Sequence, residues 1–166
     1  MGMIFLFSLL LAFVVGFFAL KIWARTAPAA ELGTEDGRLK PCPESPNCVT
    51  SYTDDADAEH GMDPLPLPSA VDSTEAVRRL KALVDSLPRA RVTTEWGSYL
   101  ACEFRSRIIG YVDDVEFLVD EEAGLIHFRS ASRLGYSDRG ANRKRMEEIA
   151  RLWHERLEAG QGSGRL

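Results

Sequence analysis

The chain opens on one long apolar run. MGMIFLFSLLLAFVVGFFALKIWAR is hydrophobic over residues 3–20 apart from Ser8 and Gly16, and Lys21 is its first charge. A membrane-spanning helix needs about 20 such residues. Residues 1–25 are therefore expected to form an N-terminal transmembrane anchor, with Trp23 and Arg25 placed for the membrane interface. A surface helix of a globular core would show a polar face, and this run has none. The competing reading is a cleaved signal peptide, because Ala27-Pro28-Ala29 sets small residues before Ala30. An uncleaved anchor is preferred, since the run exceeds a signal core and no basic residue precedes it.

After the anchor the pattern changes three times. Residues 26–40 mix alanine, glycine, proline and charge without periodicity, which predicts a linker. Prolines at 41, 43, 46, 64, 66 and 68 then keep the next stretch out of helix. Helical spacing appears at Ala76, Val77, Leu80, Leu83, Val84 and Leu87, with Asp72 and Glu75 as a capping-box-like start and Pro88 as the stop. Alternation takes over next, in runs at 92–96 and 99–105 joined by the hairpin dipeptide Gly97-Ser98. It continues at 111–119, where Val115, Phe117 and Val119 oppose Asp114, Glu116 and Leu118. A further run at 125–130 puts Ile126 and Phe128 on one face.

A last helix is expected from about Asp138, capped by Ser137 or Asp138, with Met146, Ile149, Ala150, Trp153 and Leu157 as its apolar stripe. The order helix, four strands, helix predicts an α+β fold, an antiparallel sheet of about four strands packed against two helices. Residues 41–158 form that single domain, and 159–166 read as a flexible tail.

Charge refines this picture. The net charge of −5 conceals an acidic stretch at 31–72 and a basic one after residue 128. A chain without a broad basic footprint is not expected to bind nucleic acid. Cys42 and Cys48 sit six residues apart in PCPESPNCVTS, a spacing that suits a small disulfide loop in an oxidising compartment. A metal would need two further ligands, and His60, His127 and His154 make no ligating pattern, so neither metal nor cofactor is implied. Cys102 alternates with Leu100 and Phe104 and reads as a buried thiol. Lys21 and Arg25 alone would keep the domain in the cytoplasm. The disulfide reading outweighs them and places it outside, periplasmic or extracytoplasmic, on a single-pass cell-membrane protein.

The densest chemistry lies in RSASRLGYSDRGANRKR, residues 129–145, with five arginines and one lysine among small residues. Two readings of it stand. In one, Arg129, Arg133 and Arg145 pair with Asp113, Asp114 and Asp138 to hold the loop before the last helix. In the other, Arg129, Ser130, Ser132, Arg133, Asp138, Asn142 and Arg145 converge on an anionic group. PCPESPNCVTS, GYVDDVEFLVD and RSASRLGYSDRGANRKRMEEI together resemble the domain-of-unknown-function 1499 family. That resemblance implies a small, often membrane-anchored bacterial envelope protein. It strengthens the Cys42–Cys48 disulfide and brings no known reaction.

The expected function is thus a membrane-tethered binding or accessory module, its partner an anionic small molecule, a lipid head group or an envelope protein. One alternative is a hydrolase using Asp113 and Asp114, although adjacent strand residues face opposite ways. Another is a structural partner in an envelope complex, docking through the sheet or through the acidic run at 54–63.

Overall fold

A computed structural model describes residues 2–29, 31–52 and 57–162. Asp54 and Asp55 of the acidic run, and residues 163–166 of the expected tail, lie outside the described residues. Helix α1 (Gly2–Thr26) carries the apolar run, and it is long and apolar enough to cross a membrane, a property that signal sequences share. The rest is α+β, a six-stranded sheet with an additional two-stranded one.

Four long strands follow one another as hairpins: β5 (Ala90–Trp96), β6 (Tyr99–Arg105), β7 (Val112–Asp120) and β8 (Leu125–Ser132). They pair antiparallel throughout, so β7 is flanked on both sides by full-length neighbours. Gly97 occupies the first position of the β5–β6 loop at φ +51°, a conformation open to glycine at little cost. Helices α2 (Ser73–Asp85) and α3 (Ala141–Gly162) cover one face of the sheet. Between them and the sheet lies the main core, including Leu80, Leu83, Leu100, Phe117, Phe128, Ile149 and Trp153.

The expectation of about four strands requires correction to six. The added strands are β3 (Cys48–Thr50) and β4 (Leu65–Pro66), which lie end to end along the free edge of β8. Strands of two or three residues are too short to display a period, and Pro66 is tolerated because it sits on the sheet's edge. The stretch expected as a linker also has structure. Within it β1 (Thr34–Glu35) and β2 (Arg38–Leu39) form a hairpin through Asp36 and Gly37, both at positive φ. Leu39 packs on Tyr99, Ala101 and Leu118 on the sheet face away from the helices.

Helix ends differ from expectation in detail. Asp72 caps α2 by accepting from the Glu75 amide at 2.8 Å. The Glu75 side chain turns to Arg78 and Arg79 instead of completing the box. α3 begins at Ala141, three residues after the expected Asp138, because Arg139 (φ +56°) and Gly140 (φ +77°) are left-handed and cannot belong to the helix. At its other end the helix runs on to Gly162, into residues expected as a tail. Once nucleated, a helix gains one hydrogen bond for each further residue.

Cys42 and Cys48 form a disulfide, and Cys102 is a free, buried thiol. Closing so short a loop removes about 2 kcal/mol of unfolded-chain entropy. The Cys42→Ser/Cys48→Ser chain should therefore unfold several degrees lower by circular dichroism. A reductant should lower the parent's melting temperature and leave that of the double variant unchanged.

Candidate functional site

Strand alternation decides where each candidate side chain goes. On β7, Asp113 shares the helix-covered face with Val115 and Phe117, while Asp114 and Glu116 point to the opposite face. On β8, Ser130 and Ser132 follow Phe128 onto the helix face. Arg129 and, just past the strand, Arg133 point the other way. The residues expected to form one site are therefore divided between two networks on opposite sides of the sheet.

The helix-side network is organised by Asn142, which is fully buried. Its Oδ1 accepts from Ser130 Oγ at 2.6 Å and from Arg145 Nη1 at 2.5 Å. Its Nδ2 donates to the Asn47 carbonyl at 2.9 Å and to Ser132 Oγ at 3.0 Å. All four hydrogen-bonding positions of the amide are thus in use. Arg145 also donates to Asp113 Oδ2 and lies over the Phe104 ring, 4.8 Å from its centroid. Asn47 donates in turn to the Gly135 carbonyl at 2.6 Å, tying the disulfide loop to the segment before α3. Asp138 pairs with no arginine among the described residues. Its carboxylate accepts from the amides of Gly140 and Asn142, at 2.9 and 2.6 Å, and so caps α3.

On the opposite face Arg133 makes a bidentate pair with Asp114, 2.8 Å from Nε and 2.7 Å from Nη2. The same Nη2 reaches Glu103 on β6 at 2.7 Å, and Nη1 donates to the Ala27 carbonyl at the end of α1. Asp114 holds this guanidinium firmly charged, raising its pKa despite burial. Burial works against ionisation of Glu103, yet Arg133, Arg105 and Arg91 outweigh it and hold its carboxyl below the ordinary value. Further along, Arg129 Nη1 donates to Glu116 Oε2 at 3.1 Å. Glu116 Oε1 accepts from Tyr99 Oη and from the Gly33 amide, both at 2.7 Å. Burial, followed by Glu116, pushes the Tyr99 phenol well above its usual pKa.

Of the two readings of the basic segment, the geometry matches the paired one for Arg133 with Asp114 and Arg145 with Asp113. It assigns Arg129 to Glu116 and Asp138 to backbone amides. Asp113 and Asp114 face opposite sides, each against its own arginine. Asn47 belongs to the PCPESPNCVTS motif that carries the family resemblance, whereas Glu103 and Tyr99 stand outside every motif read from the sequence. Glu103 was within reach, because Leu100, Cys102 and Phe104 in the core oblige it to face away. Tyr99 carries no such local signal, since its partners are distant in sequence.

One open cleft adjoins the helix-side network. It has a volume of about 440 Å³ and is lined by Trp23, Tyr111, Asp113, Ser132, Asp138 and Arg139, among others. Arg139 is exposed, in a strained backbone conformation, and faces no carboxylate partner among the described residues.

Removing one partner of a buried pair strands the other charge. Arg133→Ala should therefore cost about 3 kcal/mol in chemical denaturation, whereas Arg139→Ala should stay within about 0.5 kcal/mol of the parent. Acid should act through Glu103. Its folded-state pKa lies below the ordinary 4.5, so the unfolded chain takes up the proton first. Its stabilisation is complete above that value and is lost as pH falls through the lower folded value. Glu103→Gln should flatten the acid limb of a stability–pH curve.

A family model described as a protein of unknown function, DUF1499, matches residues 38–152. No curated protein and no solved structure gave a match. The matched region runs from β2 into α3 and holds the disulfide, the paired arginines and carboxylates of both networks and most of the cleft. On this match the chain belongs to the DUF1499 family.

Proposed function

We propose that this chain is a membrane-tethered accessory module that binds an anionic group, with α1 as the tether and the disulfide-bearing domain on the extracytoplasmic side. The observation that carries this reading is the cleft beside Ser132 and Asp138, with Arg139 at its rim. Arg129, Arg133 and Arg145 have their charges met by Glu116, Asp114 and Asp113, so they serve as the frame. Asp138, likewise, is engaged by two amides at the start of α3. Arg139 is left to meet a ligand, and its left-handed backbone is the kind of local strain found at binding sites. The hydroxyls of Ser132 and Ser137 flank it as further donors.

The extracytoplasmic placement is supported by the disulfide, which persists in oxidising compartments and is rare elsewhere. Binding is favoured over turnover because the arginine-paired carboxylates present no poised acid–base pair to the cleft.

The test is thermal unfolding of the full chain in detergent micelles with inorganic phosphate, glycerol phosphate or a short-chain phosphatidylglycerol. Saturation at about 100 times the dissociation constant should stabilise the parent by roughly 2.7 kcal/mol. Arg139→Ala should abolish that shift without lowering its own melting temperature. A shift that persists in Arg139→Ala would place the anion elsewhere, and no shift from any of the three would remove the anion reading.

A further inference from the structure

The two ends of the sheet carry different loops. At one end lie the Gly97-Ser98 hairpin and the turn at residues 121–124. At the other, residues 106–111 join β6 to β7 and residues 133–140 join β8 to α3. These two loops are neighbours because Asp113 pairs with Ser132 and the Arg133 amide donates to the Val112 carbonyl at 3.1 Å.

The end of α1 is seated against the same two loops. Ala24 is fully buried, and the Ala27 carbonyl accepts from Arg133. Trp23 lines the cleft with Tyr111 and Arg139. Arg25 crosses Gly110 so closely that a Cβ there would lie 2.9 Å from its Nε.

Both loops expose apolar side chains next to cations. Ile108 is 69% and Tyr136 77% exposed. Arg107 and Arg139 are exposed beside them, and the one carboxylate within these loops, Asp138, is engaged by amides.

A depth argument joins these observations. The 25 residues of α1 extend about 37 Å, against a hydrocarbon core of about 30 Å, so a span starting near Gly2 brings Trp23 to the interface. Whatever touches Trp23 then lies at the level of the lipid head groups. We infer that this end of the domain rests on the anionic bilayer surface that α1 enters, with Ile108 and Tyr136 in the head-group layer and Arg107 and Arg139 on lipid phosphates. Exposed apolar side chains on loops that also expose arginine are the composition that binds such a surface. The inference rests on the tether reading above, and it makes the cleft open toward lipid head groups.

The test uses the full chain reconstituted into vesicles of phosphatidylcholine and phosphatidylglycerol. A bimane fluorophore is attached through Ile108→Cys or Tyr136→Cys, with Glu122→Cys as the distant control. Cys102 is buried and Cys42 and Cys48 are bonded, so the introduced thiol alone reacts. β7 separates the control from the loops by eight residue steps, roughly 26 Å.

Lipids brominated near the head group should quench bimane at positions 108 and 136 and leave it bright at 122. Adding Arg107→Glu and Arg139→Glu should restore much of the lost fluorescence. If the chain floats with the vesicles and resists alkaline extraction, yet 108 and 136 are as bright as 122, the domain stands off the bilayer. The inference then falls while the tether stands. Failure to float would overturn the tether and the inference together.

Discussion

A carboxylate on the middle strand of a sheet has little water to stabilise it, and it stays charged only if a cation is set against it. Of the four on β7, three are buried, Asp113, Asp114 and Glu116. Each is met by an arginine from residues 129–145: Arg145 from α3, Arg133 from the loop after β8 and Arg129 from β8 itself. This matching fixes how the last strand, its loop and the last helix lie on the sheet. It also explains why the arginines are interleaved with small residues. Alternation sends Arg129 and Arg133 to one face and leaves Ser130 and Ser132 on the other, where Asn142 collects them. A contiguous basic tail could not serve both faces.

The same pairing determines what is left over for function. With three guanidinium groups occupied, the free chemistry moves to the left-handed turn at Arg139 and Gly140 and the cleft beside it. Arg133 links the two roles, since it binds Asp114 and Glu103 within the sheet and also the chain just after α1. Through that contact the frame of the fold holds the end of the apolar helix beside the cleft. Asn47 does similar work from the disulfide loop, reaching Gly135 at the cleft's margin.

Much of the frame was legible in the sequence, for identifiable reasons. Five apolar positions at helical spacing in α2 and long alternating runs in β5 to β8 are strong periodic signals, and they placed most of the core. The facing rule alone separates Asp113 from Asp114. Short elements are illegible because two or three residues show no period, so the sequence of β1 to β4 reads as linker and loop. Asp36-Gly37 is a recognisable hairpin dipeptide, but its flanks, Thr34-Glu35 and Arg38-Leu39, lack the alternation that would have supported it. Pairings such as Arg129 with Glu116 depend on strand register, which local composition does not encode.

The central claim is that Arg129, Arg133 and Arg145 are held by carboxylates of β7, and the pair Arg145–Asp113 isolates it. The most direct measurement is urea unfolding of Arg145→Met, Asp113→Leu and the two combined. The account predicts that each single change costs about 2–3 kcal/mol by stranding a charge, and that the double variant recovers most of the loss because neither charge remains. A single Arg145→Met chain as stable as the parent, or losses that simply add in the double variant, would contradict it.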